Sequence, residues 1–350
     1  MARIAINGFG RIGRLFLRQA LEQPNLDIVA INDLGDLENL VYLLKYDTVY
    51  GKYPKEVIGE RLEVGGKLIV DGKEIKVLQI KDPAQFPWKE LNIDIVVEAT
   101  GVFESFEKAK VHLAQGAKRV VITSPAKDAD GEMGKTVLVG INEGELQTVA
   151  ISSNASCTTN AASPVIQVLS ENPGIEKAIL NTVHAYTATQ DVVDGMIPHP
   201  SKKGEGARDF RRGRAAAQNI VPSTTGAAIA VTRAIKELEG KFDGIALRVP
   251  VVAGSIADIT FVSKRKTSAE EINNILKEAA ASPRWQGILK VTEEQVVSAD
   301  IVGEPFGAIV DLNFTKVVDG NLVKVLSWYD NEMGYVSMLV RHVLAVARVI

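Results

Sequence analysis

The sequence predicts an α/β protein of two domains, a doubly wound parallel sheet followed by an α+β domain with a mixed or antiparallel sheet. Three observations carry this expectation. Short apolar runs alternate with helical patterns through the first half of the chain. The strand patterns after Asn160 are longer and richer in β-branched residues. A glycine-rich turn joins the first strand pattern to the first helical one. Alternating short strands and helices imply a parallel sheet covered on both faces.

In chain order, Ile4–Asn7 is predicted as a strand and Arg11–Glu22 as an amphipathic helix carrying Ile12, Leu15, Phe16 and Ala20 on one side. Asp27–Asn32 is an apolar strand ending in Asp33, followed by a helix over Leu37–Lys45. Glu56–Ile80, with turns at Gly65-Gly66 and Asp71-Gly72, predicts hairpins lying outside the main sheet. Strands at Ile93–Ala99 and Arg119–Thr123 flank a helix at Phe106–Gln115, and Thr148–Ile151 is a further strand-like run. Beyond Asn160, helices are expected at Ala161–Glu171, Gly226–Glu237 and Ala269–Ala281. The strands among them are Ala178–Tyr186, Phe242–Val252, Ala257–Val262 and Ala308–Val318, and Gly334–Ile350 closes the chain as an apolar helix in need of a surface. The Gly-, Pro- and Lys-rich span from 191 to 214 is long for a structureless connection, which marks a functional or interface loop.

The 350 residues exceed what one core usually serves, and 46% hydrophobic with 24% charged residues is ordinary for a globular enzyme. A net charge of −3 with scattered Lys and Arg argues against nucleic acid as a partner. No apolar stretch reaches the roughly 20 residues that span a bilayer, and the strand beginning at Arg3 leaves no room for a secretory leader. With a single cysteine, a reducing cytoplasmic setting is expected and no metal site is.

That cysteine, Cys157, lies where a polar segment gives way to a helix, and the positive end of the helix favours its thiolate. Reactivity is therefore expected rather than plain packing. The second motif is Gly8-Phe9-Gly10-Arg11-Ile12-Gly13, between strand and helix. Gly8 permits a tight turn, Gly10 admits a pyrophosphate to the backbone, and Gly13 lets helix and strand approach closely, as in a Rossmann domain. The helix starting at Arg11 offers free N–H groups to the phosphates. Asp33 follows at the distance of the carboxylate that binds a ribose hydroxyl, which favours NAD over NADP.

With both motifs in place, the chain closely resembles phosphorylating glyceraldehyde-3-phosphate dehydrogenases, essentially end to end. The resemblance rests on Asn7-Gly8-Phe9-Gly10-Arg11-Ile12-Gly13-Arg14, on Ser153-Asn154-Ala155-Ser156-Cys157-Thr158-Thr159-Asn160 and on His184-Ala185-Tyr186-Thr187-Ala188-Thr189-Gln190. It continues in Arg214-Ala215-Ala216-Ala217, Pro222-Ser223-Thr224-Thr225-Gly226, Arg248-Val249-Pro250 and Trp328-Tyr329-Asp330-Asn331-Glu332-Met333-Gly334-Tyr335. It implies that Cys157 is the nucleophile and His184 its base, passing through a hemithioacetal and a thioester that inorganic phosphate cleaves. It implies Thr187 and Arg248 for the substrate's ester phosphate, with Ser156, Thr158, Thr225 and Gly226 for inorganic phosphate and Arg212 near both. For Thr225, capping of the helix that follows is the plainer role. On the cofactor side it implies Arg11 and Ile12 at the pyrophosphate, Asp33 at the adenine ribose, and Thr100 and Ser124 at strand ends. Asn331 is implied at the nicotinamide carboxamide, Tyr335 beside that ring, and Lys81, where many relatives carry arginine, near the adenine.

The implied domains are 1–155 with the returning helix 331–350 for NAD, and 156–330 for catalysis, in a glycolytic or gluconeogenic homotetramer. The sequence departs from many relatives in Ala161, where a second cysteine is common, and in a longer loop from Gln190 to Arg211. His112, His199 and His342 fall outside these motifs and receive no role. Two alternatives keep the fold: an erythrose-4-phosphate dehydrogenase, with water attacking the thioester, and a non-catalytic NAD-binding regulator, which the joint presence of Cys157 and His184 opposes.

Overall fold

Strand β1 (Ala2–Asn7) is buried from Ile4 onward and stands at the centre of the first sheet. The computed structural model describes residues 1–196 and 209–350. These fall into two units, Met1–Ser156 with Tyr335–Ile350, and Cys157–Gly334. After β1 come α1 (Arg11–Ala20), β2 (Leu26–Asn32), α2 (Leu37–Lys45), β3 (Val57–Arg61), β4 (Gly66–Val70) and β5 (Lys73–Leu78). The first unit continues through β6 (Ile95–Glu98), α3 (Phe106–Ala114), β7 (Arg119–Ile122), β8 (Gly134–Thr136) and β9 (Ile151–Ser153). Among the described residues the strands form one nine-stranded sheet in the order β8-β9-β7-β6-β1-β2-β5-β4-β3. Its strands are parallel from β8 to β5 and antiparallel beyond. β1 pairs with β2 on one side and β6 on the other, so the strand order reverses there and a crevice opens at the carboxyl ends of these strands.

The hairpin segment corrects the sequence expectation. β5 pairs in parallel with β2, Ala30 opposite Lys76, and carries β4 and β3 with it, so the segment extends the sheet instead of leaving it. The alternation in Lys73–Leu78 buries Ile75 and Val77, enough apolar surface to hold it against its neighbour. The strand expected at Thr148–Ile151 lies later, at Ile151–Ser153, because Glu143–Gln147 forms a 3₁₀ turn that uses up the preceding residues.

The second unit begins with α4 (Cys157–Glu171), β10 (Ile175–Ala185), β11 (Val221–Thr224), α5 (Ala227–Ala234), β12 (Phe242–Val249) and β13 (Ser255–Ser263). It continues with α6 (Ala269–Ala281), β14 (Leu289–Thr292), β15 (Ala308–Val318) and β16 (Leu322–Tyr329), before the terminal helix α7 (Met333–Ala347). The sheet order is β11-β12-β10-β13-β16-β15-β14, mixed as expected, with β10–β12 and β14–β15 parallel and the other pairs antiparallel. Strict alternation along β13 buries Ala257, Ile259 and Phe261 on the helix-covered face. Ile179, Ile245 and Leu322 stay exposed on the other face. Helix α4 starts at Cys157 itself, earlier than expected, which makes the thiol-bearing residue the first of the helix. β16 was not anticipated, although the left-handed Asp319 (φ 48°) and Gly320 (φ 73°) form the Asp-Gly turn that joins it to β15. No helix of the described residues is long and apolar enough to cross a membrane.

Within the first unit, α7 buries His342 completely against the end of β9. Its Nδ1–H donates to Asn154 Oδ1 at 3.2 Å, leaving Nε2 to accept from Ser152 Oγ at 2.7 Å, a neutral tautomer with both nitrogens used. Burial pushes its pKa down from 6.5 to about 4. Between those values the unfolded chain takes up a proton that the folded site refuses, so stability is intact above pH 6.5 and falls as the pH drops toward 4. We predict that this group alone costs about 2 kcal/mol at pH 5 relative to pH 7.5. Urea midpoints at the two pH values should show a smaller acid loss in His342→Gln than in the wild type; equal losses would contradict the assignment.

Candidate active site

The parallel pairing of β10 with β12 sets His184 opposite Arg248. Cys157, at the start of α4, faces the same point: its Sγ lies 3.3 Å from His184 Nε2. His184 Nδ1 is 2.7 Å from the Ala185 carbonyl and 2.5 Å from Arg248 Nη1. The two contacts exclude each other, since the guanidinium can only donate; an N–H at Nδ1 satisfies the carbonyl, gives up the bond from Arg248 and leaves the Nε2 lone pair toward sulfur, the tautomer a base requires. In that state Arg248 is held by the Ala185 carbonyl, to which it donates at 3.2 Å. Tyr329 closes the site from β16, edge-on to the imidazole at 5.8 Å, its hydroxyl 2.9 Å from Thr158 Oγ1 and 2.7 Å from Thr182 Oγ1.

Burial dominates the electrostatics. It pushes the Cys157 thiol up, against the guanidinium of Arg248 and the hydroxyl and amide of Thr158, which favour the thiolate. It pushes His184 down to about 3, with Arg248 acting in the same direction. Each charge is therefore penalised when formed alone. Transfer of the thiol proton to Nε2 forms both together at hydrogen-bond distance, and their attraction offsets the loss of water. Tyr329 is likewise pushed up by burial and stays protonated. Thr182 gives its proton to the Ile256 carbonyl at 3.3 Å, so the Tyr329 hydroxyl donates to Thr182 and accepts from Thr158.

Arg248 is mostly buried, and among the described residues no carboxylate pairs with it; Arg212 contributes further positive charge. A desolvated cation without a counter-charge is costly, and an anionic substrate group relieves that cost. Arg212 lies 3.6 Å from Asp209. Thr187 Oγ1 bonds Thr189 Oγ1 at 3.0 Å. Thr225 Oγ1 accepts from the Ala227 amide at 3.1 Å, the capping role, and keeps its own proton to donate. A Cβ on Gly226 would meet nothing within 4 Å, so its backbone is open to a ligand. Ser156 is half-buried, and Thr158 is buried with its hydroxyl turned to Tyr329. Asn331 Oδ1 accepts from the Gly254 amide at 3.1 Å and Ser255 Oγ at 3.0 Å, so its amide group is left to donate.

In the first unit, Gly8 is left-handed (φ 97°) and a Cβ there would meet Ala99 at 2.7 Å. A Cβ on Gly13 would collide with the Gly8 carbonyl, whereas one on Gly10 would meet nothing within 4 Å. The turn is closed on its inner side and open outward, the cradle that a pyrophosphate needs. Asp33 binds the Phe9 amide through Oδ2 at 2.7 Å and the Gly35 amide through Oδ1 at 2.8 Å, with lone pairs left for ribose hydroxyls. Arg11 is drawn toward Asp47 at 2.5 Å and lies over the Tyr50 ring, so α1 presents its backbone to phosphates while this side chain is already engaged. Ile12 and Ser124 are half-buried, Lys81 and Thr100 exposed. Tyr335 is buried, its hydroxyl donating to the Thr123 carbonyl at 2.7 Å. These residues fit a nicotinamide dinucleotide. His199 and much of the long loop lie outside the described residues.

Sequence reading gave no role to Tyr329, although it stands in the Trp328–Tyr335 motif, nor to Thr182 and Ser255, which lie outside the motifs. Replacing the base tests the pair. Cys157 in His184→Asn must ionise alone, so its alkylation by iodoacetamide at pH 7 should slow by about tenfold or more, one pKa unit being a tenfold change in thiolate. An unchanged rate and pH profile would contradict the pairing.

Two family models match the chain. Residues 2–106 match the NAD binding domain, and residues 156–331 the C-terminal domain, of glyceraldehyde 3-phosphate dehydrogenase. The chain is 50% identical over 343 residues to the glyceraldehyde-3-phosphate dehydrogenase of Thermotoga maritima, covering 97% of each. It is 47% identical over 345 residues to that of Clostridium pasteurianum, again covering 97% of each. To glyceraldehyde-3-phosphate dehydrogenase 2 of Bacillus subtilis it is 44% identical over 348 residues, 98% of this chain and 97% of the relative. A thiol–imidazole pair at 3.3 Å, an arginine with no carboxylate partner among the described residues, a dinucleotide cradle and these matches together place the chain in the glyceraldehyde-3-phosphate dehydrogenase family.

Proposed function

We infer that the chain oxidises glyceraldehyde 3-phosphate to 1,3-bisphosphoglycerate with NAD and inorganic phosphate, a step of glycolysis or gluconeogenesis. The observation that carries this reading is the 3.3 Å approach of Cys157 Sγ to His184 Nε2. The thiolate adds to the aldehyde carbon, the C=O π bond opens, and the oxygen stays on carbon and takes the proton held at His184 Nε2, becoming the hydroxyl of a hemithioacetal. His184 Nε2 then takes that hydroxyl proton as the C–H electron pair departs, which leaves a thioester. When bound, the oxidised nicotinamide supplies the hydride acceptor. Phosphate attacks the thioester carbon, the C–S bond breaks, and the sulfur returns as thiolate beside the Thr158 amide and Arg248. Arg248, with Arg212 and Thr187, suits the ester phosphate, while Ser156, Thr158, Thr225 and Gly226 suit the attacking phosphate through helix-start amides and the free Thr225 proton. Asn331, its oxygen already bonded, offers N–H groups to the nicotinamide carboxamide.

Acyl phosphate should form from glyceraldehyde 3-phosphate and NAD only when phosphate is supplied. Cys157→Ser should lose that activity by at least roughly a thousandfold while NAD affinity changes little. Acid product without phosphate would favour the erythrose 4-phosphate alternative, and turnover in Cys157→Ser would remove the nucleophile.

A cytoplasmic homotetramer accompanies this reading. The uncovered face of the second sheet, with Ile179, Ile245, Val318 and Leu322 exposed, supports burial against another copy. Sedimentation at micromolar concentration should give a particle of four chains, and a monomer would count against it.

A further inference from the structure

Beneath the glycine turn lies a chain of buried polar groups that the reaction does not use. Asn7, Asn32 and Glu98 are the last residues of β1, β2 and β6, three adjacent strands at the point where the sheet order reverses. Asn32 Nδ2 donates to Asn7 Oδ1 at 2.8 Å, and Asn7 Nδ2 donates to Glu98 Oε2 at 2.6 Å. His112, fully buried on α3, sits 3.0 Å from the same oxygen through Nε2, and Trp88 Nε1 lies 3.1 Å from His112 Nδ1. An indole N–H can only donate, so Nδ1 carries the lone pair and Nε2 carries the hydrogen. Neutral His112 therefore donates to Glu98. The other carboxylate oxygen accepts from the Thr100 amide at 2.8 Å and from the Thr100 hydroxyl. Every group facing the carboxyl is thus a donor, as a buried carboxylate requires.

The two asparagines pass this order to the main chain. The Asn32 carbonyl accepts from the Gly8 amide at 2.8 Å, and the Asn7 carbonyl from the Ala99 amide at 2.7 Å. Gly8 and Ala99 are the backbones in contact where the turn closes. Asn32 also exchanges hydrogen bonds with the Ile80 amide and carbonyl at 2.9 and 3.1 Å.

We propose that Glu98, held by His112, is a positioning residue for the dinucleotide: it fixes Thr100 and, through Asn7 and Asn32, the glycine turn, so that these groups meet NAD already in place. The proposal rests on the reading of this unit as the NAD site. Removing the His112 donor leaves Trp88 unpaired and frees the carboxylate to turn, and the cost appears in NAD binding.

Calorimetry on the full-length protein tests this with three variants. His112→Leu and the isosteric Glu98→Gln, which sets an amide N–H against a ring of donors, should each raise the NAD Kd by about tenfold. His112→Gln, able to donate to Glu98 and accept from Trp88, should stay within about threefold of wild type. Alkylation of Cys157 in the absence of NAD should be the same in all, a readout that general destabilisation would alter. NAD affinities of His112→Leu and Glu98→Gln within twofold of wild type would overturn the proposal, as would a His112→Gln no better than His112→Leu. Should His112→Leu not fold, Glu98→Gln alone decides by the same criterion. Failure of the wild type itself to bind NAD would instead overturn the reading of the site.

Discussion

The catalytic unit is organised around one constraint: a half-buried thiol and a buried imidazole 3.3 Å apart. Burial acts against either one carrying a charge by itself and leaves joint ionisation as the favourable route. The surrounding residues follow from this requirement. The Ala185 carbonyl selects the imidazole tautomer, Thr158 borders the sulfur with its hydroxyl and amide, and Arg248 supplies fixed positive charge. That positions are held by strands is part of the chemistry. His184 and Arg248 are register partners, so their separation is set by backbone pairing more than by side-chain choice.

The nucleotide unit meets its task by a different route. Its glycine turn offers main chain on the open side, so its shape must come from what holds the backbone. Three strands end together in Asn7, Asn32 and Glu98, and their side chains bond to one another across the sheet edge. Asp33 adds a bond from the second strand to the Phe9 amide within the turn. A carboxylate that already orders the loop needs little rearrangement to receive a sugar.

Much of this was legible because local chemistry and fold agree in the motifs. The glycine turn could be placed from sequence because Gly8 and Gly13 answer steric demands that the backbone shows, while Gly10 leaves the outer side of the turn open. Cys157 stood out because a lone thiol ahead of a helix has few other uses, whereas His184 was singled out only through the family resemblance. What escaped lay in relations between distant segments. Glu98 ends an apolar strand run, and an acid in such a run is a signal of a buried network, but its partners stand 14 and 91 residues away. His112 fell on the apolar face of α3, where a structural role and a positioning role look alike in sequence. The hairpin strands were judged outside the sheet because parallel pairing of β5 with β2 leaves no local mark. Val221–Thr224 contains a proline, which suits the sheet edge it occupies and hides it as a strand.

The central claim, that sulfur 157 captures the aldehyde with imidazole 184 as its base, is tested most directly by rapid acid quench followed by peptide mass spectrometry. Enzyme mixed with glyceraldehyde 3-phosphate and NAD but no phosphate should accumulate a phosphoglyceroyl thioester on the peptide containing Cys157, and His184→Asn should form it far more slowly. An acyl group on any other residue, or equal rates of acylation in the two proteins, would contradict the account.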